Sequence, residues 1–261
     1  MKAFFTCLLI LIVLFAPVHA FAKDNSSDKA WEQLTDLSDQ IFQYVDSKHY
    51  SEATAVLKQF NNKWHNISLT VLNVSDLENR IIQSSIIDVN KTINSVSSDK
   101  SKRQTAIEFR LAVDAATHNQ QPLWMGLKPK LIKPIDDMKE AVKKGDDQTF
   151  QHGLNEFLSV YQMIYPSLVI DLSSKQLHDV NSAVNQLTDH RITILQSEKG
   201  ESQIKALQQQ IKALFGIAKM SQVNEQSLWT VGLIGGVIVF TLIYVSWRKY
   251  RGQGRYRESK V

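Results

Sequence analysis

The chain has 261 residues, with 30 Lys and Arg against 26 Asp and Glu, a net charge of +4 and an isoelectric point near 9.0. The excess is local: without Lys2 and the six basic and one acidic residues after Trp247, 23 basic residues face 25 acidic ones. A basic nucleic-acid footprint is thereby excluded for the body of the chain, and a lone cysteine, Cys7, excludes a disulfide framework and leaves no thiolate or Cys-type metal chemistry beyond it.

In chain order, Lys2 precedes the apolar run Ala3 to Val18, broken by Pro17. Small residues follow at Val18-His19-Ala20 and Ala20-Phe21-Ala22. This pattern predicts a secretory signal peptide over residues 1–22, cleaved after Ala20 or Ala22. If the segment is retained as an anchor, the middle of the chain still lies outside the cytoplasm. Residues 23–227 are expected to form one extracytoplasmic domain.

That domain reads as helix throughout. From Trp31, apolar residues recur at Leu34, Leu37, Ile41 and Val45, the spacing of one helical face. The pattern breaks at Lys48-His49-Tyr50. Ser51 is the expected N-cap of a second helix lined by Ala53, Leu57, Phe60 and Trp64. Leu77, Ile81, Val89 and Ile93 predict a third helix and Arg103 to Thr117 a fourth. Pro122 marks a break, and Pro129 and Pro134 each open or kink the next helix.

The second half echoes the first. Met138, Val142, Phe150, Leu154, Phe157 and Tyr161 match Ile41, Val45, Ala53, Leu57, Phe60 and Trp64 at an offset of 97, and Asp179 to Asn185 echoes Asp88 to Asn94 at 91. Two repeated helical-hairpin modules, 28–118 and 123–216, are one reading. Chance matching of amphipathic helices is the other. Ile204, Leu207, Ile211 and Leu214 predict a last helix ending near Phe215-Gly216, with its seam packed on the domain or in a short coiled coil. Strand candidates at 67–74, 167–172 and 191–196 are short and scattered, so the fold class is all-α.

Residues 228–247 carry no charge over 20 positions, with Trp229, Tyr244 and Trp247 at the edges. That length suits a transmembrane helix crossing a hydrocarbon core of about 30 Å. Gly232 and Gly236 offer a G-x-x-x-G contact for a homodimer. Residues 248–261 form a basic tail, in which Arg248, Lys249, Arg251, Arg255 and Arg257 are expected to face the cytoplasm and anionic lipid headgroups. The expected location is the cell membrane, single-pass, with the C-terminus cytoplasmic.

Chemistry is sparse. The histidines His49, His65, His118, His152, His178 and His190 form no H-x-x-x-H pair, and neither a nucleophile elbow nor a phosphate-cradling Gly loop occurs. No catalytic residue, metal or cofactor is expected. Asp136-Asp137 and Asp146-Asp147 are expected at helix ends. One stretch stands out: Arg110, Asp114 and His118 fall at i, i+4 and i+8 of a helix, with Trp124 close behind. Either they form a partner-binding surface, or Arg110 and Asp114 make an intrahelical ion pair and Trp124 is core.

The segment Phe109-Arg110-Leu111-Ala112-Val113-Asp114-Ala115, followed by Gln121-Pro122-Leu123-Trp124, resembles the YpjB family of sporulation proteins from endospore-forming bacilli. Leu154-Asn155-Glu156-Phe157-Leu158-Ser159-Val160-Tyr161 with Ile164 and Pro166, and Tyr50-Ser51-Glu52-Ala53 with Leu57 and Phe60, are similar too. The resemblance implies a role in endospore formation, on the mother-cell membrane, with no activity and no catalytic residues attached. The resulting expectation is a non-enzymatic scaffold or assembly factor that binds an unknown protein partner of the sporulation machinery. An extracytoplasmic sensor is the alternative, and a cell-wall hydrolase is a third reading.

Overall fold

The computed structural model describes residues 25–221 apart from 68, 119–120 and 197–198. The predicted signal (1–22), the apolar stretch (228–247) with Gly232 and Gly236, and the tail (248–261) with Arg248, Lys249, Arg251, Arg255 and Arg257 lie outside the described residues. No described helix is long and apolar enough to cross a membrane. The described residues are helical and contain no strand. In order they form α1 (Asn25–Asp46), α2 (Tyr50–Asn66), α3 (Leu69–Leu72), α4 (Asp76–Ile93), α5 (Asp99–Ala116), a 3-10 turn (Leu123–Leu127), α6 (Lys128–Lys144), α7 (Asp147–Asp171), α8 (Ser174–Asp189), α9 (Arg191–Gln196) and α10 (Gly200–Ser221). The strand candidates correspond to α3, the end of α7, and α9.

Two compact units divide the chain, Met1–Ala106 and Ile107–Val261, with the boundary inside α5. The expected modules place that break later, at the loop after His118. In the first unit, α1 and α2 form an antiparallel hairpin. Leu34, Ile41 and Val45 are buried on α1, and Ala53, Leu57, Phe60 and Trp64 on α2. These are the positions the helical spacing selects, and burying each large side chain contributes about 1.5–3 kcal/mol. Trp64 stacks on Phe60 with ring centroids 6.2 Å apart and gives its indole N–H to Asn79 Oδ1 on α4 at 2.9 Å. Trp31 Nε1 donates to the carbonyl of Leu72 at 3.3 Å, tying α3 to α1. A capping box opens α4: Ser75 Oγ accepts from the Glu78 amide, and the Glu78 carboxylate accepts from the Ser75 amide at 2.6 Å.

In the second unit α6 and α7 form the corresponding hairpin, α10 packs on α6 and α8, and α8 packs on α7. Pro129 stands in the first turn of α6, where its missing N–H costs nothing, while Pro134 lies inside the same helix. A Cβ on Gly153 of α7 would lie 2.9 Å from Met138 Cγ and 3.0 Å from the Pro134 carbonyl oxygen. A side chain here would force Met138 aside and press on the backbone of α6. The α10 seam is packed on the unit: Ile204, Leu207, Ile211 and Leu214 are all buried in its core. It runs antiparallel to α6, because Glu201 meets Lys143 at 3.7 Å, Gln208 Nε2 donates to Asp136 at 2.5 Å, and Phe215 lies under Lys128.

The two hairpins turn alike. Lys48 and Gly145, 97 residues apart, both take left-handed backbone, at φ 62° and 65°. Their amides bond back to Val45 O and Val142 O at 3.0 and 3.2 Å, and the next amides, His49 and Asp146, bond to Tyr44 O and Ala141 O at 2.8 and 2.9 Å. Helix α2 therefore begins at Tyr50, with His49 and not Ser51 at the N-cap position. Further on, the register differs from the sequence echo. The capping boxes of α4 and α8 stand at Ser75 and Ser173, 98 residues apart. The echo at 91 is thus one heptad out of step, a shift that a helical pattern tolerates.

Candidate functional site

The residues singled out by sequence lie at one end of the second unit, where α5 gives way to the 3-10 turn. Helix α5 ends at Ala116, and His118 sits beyond it, exposed, at φ 51°. The helical stripe therefore holds for Arg110 and Asp114 but does not extend to His118. Arg110 is half-buried. Asp114 is buried at 7% exposure, and its Oδ2 accepts the backbone N–H of Leu123 at 2.6 Å. A single carboxylate thus holds the 3-10 turn on the end of α5. Thr117 Oγ1 adds a bond to the Asp114 carbonyl at 2.7 Å.

Trp124 is wholly buried, so of the two sequence readings its side chain follows the core one. Its ring packs on Phe215 of α10 with centroids 5.4 Å apart, and Nε1 donates to Asp171 Oδ2 at the end of α7 at 2.6 Å. An indole buried without an acceptor would lose the full worth of its N–H. Asp171 supplies that acceptor, and the sequence gives no sign of it because nothing local links residues 47 positions apart. The structure brings Asp114, Leu123, Trp124, Asp171 and Phe215 together. Arg110 and His118 flank them nearer the solvent.

Other polar groups lock helix to helix. Tyr161 is stacked on Phe157 at 5.9 Å and donates to Asn181 Oδ1 of α8 at 2.6 Å, and Asn181 Nδ2 donates to the Tyr165 hydroxyl at 3.3 Å. Burial, and then neighbouring Tyr165, pushes the Tyr161 hydroxyl far above its ordinary range, so it stays a donor. Asp136 and Asp137 are not at a helix end as expected. They lie mid-helix in α6, one bonded to Gln208 and the other to Lys133 at 2.8 Å. Asp146 does cap α7: hydrogen bonds from the Thr149 hydroxyl and amide hold its carboxyl below the usual value. In the first unit, Asp99 accepts from Lys48 Nζ at 2.6 Å and from the Tyr50 hydroxyl at 2.7 Å. Those two donors depress the Asp99 carboxyl.

Among the described residues no group of three or more His, Cys, Asp or Glu is placed to hold a metal. The geometry is that of an all-helical protein whose inward polar side chains join one helix to another. The model of the family described as sporulation protein YpjB (SpoYpjB) matches residues 31–259, and the chain belongs to this family. It is 28% identical over 257 residues to the uncharacterized protein YpjB of Bacillus subtilis (strain 168), covering 97% of this chain and 96% of that protein. No solved structure matches the chain.

Proposed function

We propose that this sporulation-family protein is a membrane-anchored, non-enzymatic scaffold or assembly factor whose helical body binds a protein partner of the sporulation machinery. The carrying observation is how the polar side chains of the candidate site are used. Asp114 holds a backbone amide, Asp171 an indole N–H, and Asp136 the Gln208 amide. Each carboxylate is engaged in fixing one element against another, which suits a rigid binding body better than proton transfer or nucleophilic attack, where such groups face a substrate. In this reading Asp114 and Trp124 set the shape of the loop, and Arg110 and His118 are the residues of the set that reach a partner.

Anchoring rests on the uncharged residues 228–247 and the basic residues after them. The expected site of action is the outer face of the mother-cell membrane. Alkaline carbonate extraction of membranes from sporulating cells tests the anchor; release of the chain into the soluble fraction overturns it. Incubating the purified full chain with murein tests the non-enzymatic role, and release of soluble fragments overturns that. Removing residues 251–261 while keeping Arg248 and Lys249 separates scaffold from sensor: a scaffold retains sporulation, whereas a sensor loses it.

A further inference from the structure

We propose that the 3-10 turn and the first turns of α6 rest on the anionic lipid surface beside the chain's own anchor, an inference that depends on the anchored reading above. The antiparallel contacts of α6 and α10 fix which end of the second unit this is. Lys143 lies with Glu201 at the start of α10, Asp136 with Gln208 at its middle, and Lys128 with Phe215 near its end. Helix α10 is described as far as Ser221, and six residues, 222–227, separate that point from the apolar stretch in the sequence. Even fully extended at about 3.6 Å per residue, such a link spans only about 25 Å. The end of the unit that carries Trp124 and Lys128 is thereby the end nearer the point of attachment, and the end that carries Lys143 and Gly145 is the farther one.

The near end has the composition of a lipid-facing surface. From Ala115 to Ile135 the chain carries Lys128, Lys130 and Lys133 and no Asp or Glu. Leu123 is 40% exposed, while Lys128, Pro129 and Lys130 are exposed beside it. Lys133 is paired with Asp137, Lys128 lies 5.5 Å from the centroid of the Phe215 ring, and Lys130 makes no ion pair among the described residues. The carboxylates that hold the turn are engaged, Asp114 by Leu123 and Asp171 by Trp124, and those of Asp137 and Glu156 act on Lys133, leaving Lys128 and Lys130 to face the lipid. An exposed leucine among lysines inserts at the headgroup boundary while the ammonium groups meet phosphate. The hydrogen bonds of Asp114 and Asp171 therefore hold a membrane-contacting turn in place.

The test uses the full chain carrying Cys7→Ser, which leaves no native cysteine, with a nitroxide on Leu123→Cys or, at the far end, on Lys144→Cys. Each is reconstituted into nanodiscs of phosphatidylcholine alone or with phosphatidylglycerol. At position 123, collisions with a water-soluble relaxant should fall severalfold and those with oxygen should rise when the anionic lipid is present. Lys128→Glu with Lys130→Glu should abolish that change without loss of helicity by circular dichroism, and position 144 should stay aqueous in both lipids. Equal aqueous exposure at 123 in both discs overturns the docking and leaves the anchor standing. Shielding of 123 from both reagents points to protein contact and also overturns it. A chain that does not integrate into discs overturns anchor and docking together.

Discussion

Trp124 and Asp171 are joined by a 2.6 Å hydrogen bond from the indole N–H to the carboxylate, across 47 residues of chain. The bond closes the second unit at the end where the 3-10 turn, α7 and α10 converge, since the same indole packs on Phe215. Packing and hydrogen bonding make separable contributions here. Trp124→Ala removes a fully buried ring and is expected to cost about 3–5 kcal/mol. Trp124→Phe keeps most of the packing and loses the donor, at about 1.5 kcal/mol, the low end for a bond to a charged group, because Asp171 is exposed and regains water. Urea unfolding of the two variants measures both. Equal losses would mean that the ring contributes little beyond its N–H.

Asp114 differs because it is buried. Asp114→Ala leaves the Leu123 amide without its acceptor and should cost about 1–3 kcal/mol. Asp114→Asn keeps an oxygen in place and should cost less. Hydrogen exchange at Leu123 gives the direct readout, with faster exchange in the alanine variant. Unchanged exchange would remove Asp114 from its role in holding the turn.

The hairpins are legible in sequence because their information is local. Ile41, Val45, Leu57, Phe60 and Trp64 repeat at helical spacing, and each is buried. The Pro129 start of α6 and the α10 seam are legible for the same reason. His118 departs from its expected stripe because a periodic pattern does not record where the backbone leaves the helix, here at φ 51°. Asp171 and Gln208 are invisible in sequence because their partners lie 47 and 72 residues away, and only the packed helices bring them together. The offset of 91 resembles a repeat because helical patterns survive a shift of seven.

The turn of the first hairpin should respond to pH in two directions. Asp99 is held below its ordinary value of 3.8, chiefly by Lys48 and then Tyr50. Its contribution is therefore complete above pH 3.8 and is lost as the pH falls through the depressed value. Lys48 and Tyr50 are raised above 10.5 and 10.0, in both cases first by their hydrogen bond to Asp99, so their contribution is complete below those values and lost as the pH rises through the raised ones. Carboxyl chemical shifts should place the Asp99 midpoint below 3.8, and Tyr50→Phe should move it upward. A midpoint unmoved by Tyr50→Phe would show that Tyr50 has no part in setting it, leaving Lys48 and Lys102.

Gly153 fixes how closely α6 and α7 approach. Gly153→Ala puts a methyl group against Met138 Cγ, which can swing aside, and the Pro134 carbonyl, which cannot without moving the helix. The expected loss is about 1–3 kcal/mol, the usual cost of overpacking. Gly216 has open space around its Cβ position, so Gly216→Ala in α10 should stabilise slightly, as alanine favours helix over glycine. Thermal unfolding of both variants decides it, and equal effects would contradict the close approach.

The matched turns make a prediction of opposite sign at two positions. Gly145 takes φ 65° with nothing within 4 Å of its Cβ position. Gly145→Ala therefore meets no clash and pays only for left-handed backbone, about 1–2 kcal/mol. Lys48 holds the same conformation with a side chain attached. Lys48→Gly relieves that strain but gives up the exposed ion pair with Asp99 and adds freedom to the unfolded chain. Its net effect should be a small gain, smaller than the loss at Gly145. Repeating Lys48→Gly in an Asp99→Asn background removes the ion pair from the comparison, and there the gain should grow. If Lys48→Gly destabilises even in that background, the left-handed residue is not the strained element of the first hairpin, and the likeness of the two turns is one of shape without shared energetics.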